Sequence, residues 1–486
     1  MKKKTLALFL AAAMMLSAAG CGNSNGGSQP AEDTGNTAAE SGTEEAAADT
    51  SGDTSDTGAD AAADGEQVVL KYTGWGSPAE KKTTQNVIDN FEKNHPNVKV
   101  EYVHIPTDYN TKLTTLIAAG QGPDVALLDG DRALQWATEG QLMNMLDLAA
   151  DDPEFNLDDI MPQTVYWWDE GKACGVNGAL EVYGLMYNKD VLAEAGIEVP
   201  TKAEDAWTWD EFVEVLQKLT IDQNNRNALD PDFDAKNIKR FGIFIPSGLN
   251  MLALAIANTG QDFLSEDGSS LNLVGTQAEE AVQNFADLIN VYHVAPNPAQ
   301  SKNLPGGDVA MASKKVAMVW TGQWDLMNMV ANKVNFGVGI PPKMYDKPMT
   351  ISMGEPVVVF ASTKHPKEAY ELQKAFRNPE YTMELIEGGL WMPVLKEWYE
   401  DEELVAKWAT GNEAHPEGYV DAFLNNAFSE NCMPSLTYSV KNLPKIMDVL
   451  NPALDKVWLG ESTAAEAFAS VEEKANAEVK GKYTRP

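Results

Sequence analysis

Apolar and polar residues alternate from Gln67 to Tyr72 and again from Asn97 to Ile105, where Val98, Val100 and Tyr102 share a face. That period predicts two strands. Between them, Pro78 to Asn94 puts Val87, Ile88 and Phe91 on one stripe and predicts a helix. A second helix starts at Asp108 with Leu113, Leu116 and Ile117 inward, Gly122-Pro123 stops it, and Val125 to Leu128 predicts a third strand. This alternation argues for an α/β domain with a largely parallel sheet, in which ligands sit beyond the carboxyl ends of the strands.

The same periods continue downstream. Tyr166-Trp167-Trp168 is an aromatic cluster ahead of a hairpin at Asp169 to Lys172, and one of its two tryptophans is a candidate to face a cleft, packing being the alternative. Val182, Tyr183, Leu185, Met186 and Tyr187 predict a strand that ends at Asn188 and Asp190. Thr208 then caps a helix, with Glu211 in the capping-box position and Trp209, Phe212, Val213, Leu216 and Leu219 on one face. Thr276 with Glu279, and Thr463 with Glu466, predict two more capping boxes. Strands are predicted at 240–245, 336–342 and 357–360, and a helix opens at His365-Pro366. No internal repeat of fixed period is present.

The amino-terminal segment breaks both periods. Lys2 to Lys4 precede an apolar run, Leu6 to Ala19, too short to span a bilayer, and Ala18-Ala19-Gly20-Cys21 follows. The expectation is a lipoprotein signal peptide over 1–20, with Cys21 taking the lipid; a plain secretory signal is the alternative. Residues 22–65 lack aromatics, Lys and Arg and predict an acidic, disordered tether.

Composition narrows the function. A length of 486 residues suggests roughly two to four domain-sized units. A formal charge of −35 argues against nucleic acid and anionic membrane surfaces as partners. The 5 histidines are scattered without metal-ligand spacing, so neither a metal nor a cofactor is expected. Cys174 and Cys432 carry no spacing signal; two free thiols are expected over a pair.

Five motifs in order resemble the family 1 extracellular solute-binding proteins, the sugar-capturing subunits of ABC importers. They are Gly122-Pro123-Asp124-Val125; Glu181 followed by Tyr187-Asn188-Lys189-Asp190; Ala195-Gly196, Pro200 and Thr208-Trp209-Asp210-Glu211-Phe212; Ala317-Met318 with Gly322 and Trp324; and the returning segment from Ile351. The glycine usual ahead of Ala317 is missing, Lys314 and Lys315 standing near it. The resemblance implies a two-lobe, type II periplasmic-binding-protein-like α/β fold with a ligand cleft between lobes. Lobe one is expected at 66–179 plus 353–387, and lobe two at 180–352 plus 388–486. It also implies a monomer held to the outer face of the cell membrane through its lipid anchor, with carbohydrate and ABC permease subunits as partners.

The resemblance further implies site residues. Trp324 is expected to stack on a sugar ring, while Glu181, Asp131 and Arg132 bond its hydroxyls, with Asp129 beside them. Trp75 and Trp391 are candidates for a second aromatic platform. Each has a structural alternative: helix capping for Asp129 and Asp131, core packing for the tryptophans. Two other functions stay open, a solute-binding protein for a non-sugar ligand and a lipid-anchored glycoside hydrolase. Paired carboxylates occur by chance among 72 acids, and no nucleophile elbow or strand-end Glu pair organises catalysis, so an enzyme is not expected.

Overall fold

The computed structural model describes residues 67–486, which fall within one compact unit, Asp64–Pro486. The expected signal peptide, Cys21 and the tether lie outside the described residues.

Two sheets organise the chain. The first has six strands in the order β2-β1-β3-β12-β5-β4, with β1 at Val68–Gly74, β2 at Val98–His104, β3 at Val125–Leu127, β4 at Val165–Asp169, β5 at Lys172–Asn177 and β12 at Pro356–Val359. The second has seven: β6 at Glu181–Asn188, β7 at Ile221–Asp222, β8 at Ile238–Phe244, β9 at Val316–Gly322, β10 at Phe336–Gly339, β11 at Thr350–Met353 and β13 at Cys432–Pro434. Each sheet is covered by helices, giving two α/β lobes.

The first sheet is only half parallel, which corrects the sequence expectation. β1 pairs parallel with β2 and β3 through helical crossovers α1 (Pro78–Asn94) and α2 (Tyr109–Ala118). β4 and β5 form a hairpin and β12 returns from the other lobe, so all three add antiparallel. The tight turn between β4 and β5 permits only that direction, whereas the direction of β12 is set by its return from the other lobe.

Two chain segments cross between the sheets side by side. β5 passes through Gly178-Ala179-Leu180 into β6, and β11 passes through Gly354-Glu355 into β12. They run antiparallel on both sides of the crossing, with Met353 opposite Glu181 and Pro356 opposite Asn177. Gly354 is required there: a Cβ on it would lie 2.3 Å from the Ala179 carbonyl oxygen. Leu180 also exchanges backbone hydrogen bonds with Met392, so a third segment lies against the crossing.

Local signals set the helices. Thr208 and Glu211 close a reciprocal capping box, and Trp209, Phe212, Val213, Leu216 and Leu219 are buried as the stripe predicts. Thr463 with Glu466 does the same. At Thr276 the box is not completed: Glu279 takes the N–H of Gly275 instead. Cys174 and Cys432 are both free thiols. The aromatic cluster is packing: Tyr166 stacks on Tyr438 (4.6 Å between ring centroids) and donates to the Gly354 carbonyl, while Trp167 is buried and Trp168 half-buried. None of the three lines the cleft described next.

Candidate functional site: an interlobe cleft

Beyond the carboxyl ends of β1 and β3, against the double crossing, the chain encloses a cavity of about 270 Å³. The first sheet contributes Tyr72 and Trp75 from β1 and the loop after it, Tyr102 from β2, and Asp129 from the turn after β3. Glu80 reaches in from the first turn of α1. The crossing segments contribute Glu181 and Glu355, and the second lobe side supplies Asn250 and Trp324, with Trp391 from the third segment.

Five of the seven expected contact residues therefore line one cavity: Trp75, Asp129, Glu181, Trp324 and Trp391. Asp131 and Arg132 do not line it. They sit two and three residues further along, inside the helix α3 (Gly130–Thr138), where each residue rotates the side-chain direction by about 100°. The guanidinium of Arg132 lies over the Trp136 ring, 5.3 Å from its centroid. Asp131 accepts from the Arg132 N–H, and burial beside the Asp129 charge raises its pKa. Asp129 stands at the N-cap position of α3 without capping it; its carboxylate accepts from Asn110 Nδ2 instead.

Each tryptophan is held by a neighbour. Trp324 meets Tyr183 edge-on, centroids 5.2 Å apart and planes at 88°, at the start of the helix Asp325–Ala331. Its six-membered ring lies over Gly322, where a Cβ would come within 1.8 Å of the indole. The spacing Gly322-x-Trp324 is thus a steric requirement: only glycine leaves room for the ring. Gly322→Ala is expected to displace the indole and destabilise the protein by about 1–3 kcal/mol, seen as a lower midpoint in urea denaturation and a changed near-ultraviolet dichroism. An unchanged spectrum and midpoint would contradict this placement. Trp75 packs edge-on against Tyr109 at 4.8 Å, and the Tyr109 hydroxyl donates to the Leu127 carbonyl. Trp391 meets Phe376 and sits against Gly178, where a Cβ would be 2.9 Å from the ring.

The cavity is also strongly acidic. Glu80, Asp129, Glu181 and Glu355 line it, and among the described residues no Lys, Arg or His does. Glu181 is only 9% exposed; burial and then the charge of Glu80 push its carboxyl up to about 8. Glu355 is pushed well above the ordinary carboxyl range by burial and by the charges of Asp129, Glu181 and Asp131. Burial raises Glu80 as well, against hydrogen bonds from Ser77. Residues that sequence reasoning did not assign to the site are Tyr72, Glu80, Tyr102, Asn250 and Glu355. One signal for Glu355 was available: a lone acid between Gly354 and a buried apolar strand. Aromatic faces beside carboxylate acceptors suit a ligand with both apolar C–H faces and many hydroxyl donors. Among the described residues no group of His, Cys, Asp and Glu has metal-site geometry.

The family described as bacterial extracellular solute-binding protein matches residues 86–412. A galactooligosaccharide-binding protein of Bacillus subtilis (strain 168) is 24% identical over 438 residues, 87% of this chain and 92% of that protein. A maltotriose-binding protein of Pyrococcus abyssi (strain GE5 / Orsay) is 25% identical over 340 residues, 67% of this chain. The chain spans 44% and 66% of the length of two relatives that it matches, the second being the Pyrococcus protein. An ABC substrate-binding protein from Listeria monocytogenes, solved in complex with cycloalternan, superposes with a TM-score of 0.73 at 24% identity over 85% of this chain and 99% of its own. That likeness shows the same two-lobe fold. With the family matched over most of its length, this chain belongs to the bacterial extracellular solute-binding proteins.

Proposed function

We propose that this protein captures a carbohydrate, an oligosaccharide in the first instance, in the cleft between its lobes and delivers it to the permease of an ABC importer. The observation that carries this reading is the convergence of Trp75, Trp324 and Trp391 with four carboxylates on one cavity at a two-stranded crossing. A ring face stacked on indole loses its apolar hydration, and carboxylates accept from hydroxyls that closure removes from water. The names of the Bacillus and Pyrococcus relatives point the same way. The lobes are taken as 66–179 with 353–387, and 180–352 with 388–486. A ligand touching both stabilises the closed arrangement by its differential affinity, and closure is what a permease can read.

A thermal-shift screen against mono- and oligosaccharides tests the reading, since a ligand that binds only the folded state raises its melting temperature. A rise of several degrees with at least one sugar is expected; no rise with any sugar contradicts it. The same incubations should leave the glycans intact. Turnover abolished by Glu181→Gln would establish the hydrolase reading, for which the two crowded carboxyls Glu181 and Glu355 are the only observation.

The anchor is part of the proposal. Cys21→Ala is expected to leave the chain unprocessed or released into the medium, read by fractionation and mass. A variant still processed and membrane-held like the parent would remove the anchor from the reading.

A further inference from the structure

The cleft has more acceptors than the protein can serve. Glu80, Asp129, Glu181 and Glu355 all face about 270 Å³ of space, and among the described residues none that lines it carries a positive charge. Among the described residues nothing donates a hydrogen bond to the Glu181 carboxylate, although that side chain is over nine-tenths buried and borders the cavity. Ordinary interiors pair a buried carboxylate or supply it with donors, because an unpaired one is costly. Asp129, by contrast, has Asn110 as a donor.

The missing partner must therefore come with the ligand. A neutral sugar brings one donor per hydroxyl and no charge, so it gives the crowded acids Glu181 and Glu355 no counter-charge that would let them ionise. A protonated amine brings three donors and a charge of the opposite sign. The walls favour it as well: Trp75, Trp324 and Tyr102 surround the same space, and aromatic faces attract cations. An anionic ligand would face only repulsion.

We propose that the preferred ligand of this cleft is an amino sugar, whose protonated amine sits among Glu181, Glu355 and Glu80 while its ring stacks on Trp324. This inference rests on the carbohydrate reading above and narrows it. Occupation by the amine releases the crowding that pushes protons onto Glu181 and Glu355, so binding is coupled to loss of protons from those groups.

Matched sugars test it. Calorimetric affinities are measured at about pH 6, where an amine is charged, for glucose and glucosamine, galactose and galactosamine, mannose and mannosamine, and cellotriose and chitotriose. Each monosaccharide pair differs by one hydroxyl exchanged for an amine, and cellotriose differs from fully deacetylated chitotriose by one such exchange on each ring. The expected result is at least one pair in which the amine binds about tenfold or more tightly, with Glu181→Gln bringing that ratio toward one. Equal affinities, or tighter binding of the hydroxyl members, overturn the amino-sugar inference. So does a protein that takes other sugars in the thermal screen but no member of these pairs, and in both cases the carbohydrate reading stands. Failure of every sugar in both experiments overturns the two together.

Discussion

Trp324→Ala is expected to lower affinity for the best sugar by about 1–3 kcal/mol, or roughly five- to 150-fold, by analogy with the stacking of flat rings on aromatic side chains. The size follows from how the ring is mounted. The indole is pinned between the face of Gly322 and the edge of Tyr183, so it offers a pre-set surface and little ordering remains to be done on binding. Trp324 is half-buried and begins a helix from a β-strand, so its removal opens the cleft wall more than it disturbs the core. The variant should therefore stay folded, its urea midpoint falling less than that of Gly322→Ala, while titration calorimetry reports the weaker binding. A folded Trp324→Ala protein with parental affinity would move the stacking platform elsewhere, to Trp75 or Trp391.

What could be read from the sequence tracks how local each signal is. The stripe of Trp209, Phe212, Val213, Leu216 and Leu219 and the capping pairs at 208 and 463 are decided within a few residues, and the structure reproduces them. Sheet direction is not local. Nothing near β12 states that it runs against both β3 and β5, because that depends on a return from the other lobe, between Asn177 at the end of β5 and Pro356 at the start of β12. The site divides in the same way. Glycine-linked and junction residues announced themselves: Trp75 between two glycines, Trp324 after Gly322, Glu181 at a strand start. Tyr72 and Tyr102 did not, because on alternating strands they read as core, which Tyr72 is on one side, stacked on Phe376 at 4.7 Å. Glu80 stands in the first turn of α1, where an acid complements the helix amino terminus, so nothing local marks it for the cleft that it also lines. Asp131 and Arg132 show the opposite error. The resemblance that put them in the site matches residue types after a strand and does not fix side-chain direction once the backbone has entered a helix.

Replacing Glu181 by Gln is expected to flatten the loss of stability that the unliganded protein suffers as pH rises above the carboxyl range. The ordinary carboxyl value for this residue is 4.5, and in the folded chain it lies at about 8. Below 4.5 the group is protonated whether folded or unfolded and contributes no pH dependence. Between the two values the folded chain holds a proton that the unfolded chain has released, so stability falls as pH rises, and the fall is complete above about 8. At 1.36 kcal/mol per unit the loss is at most about 4–5 kcal/mol, an upper bound because neighbours titrate with it. Those neighbours are Glu80 from α1, Glu355 from the second crossing segment, Tyr183 from β6 itself, and Tyr438. Glutamine keeps the shape and cannot ionise, and it also relieves Glu355 of one of the charges that raise its pKa. Urea denaturation of parent and variant at about pH 5 and about pH 9 reads Glu181 together with the change it imposes on Glu355, because groups that do not interact with Glu181 titrate alike in both. The variant should gain on the parent by a few kcal/mol between those two conditions. Parallel profiles would mean that Glu181 is already ionised and served by water or protein donors in the empty cleft, and the shortage of partners that calls for a cationic ligand would then have no physical basis.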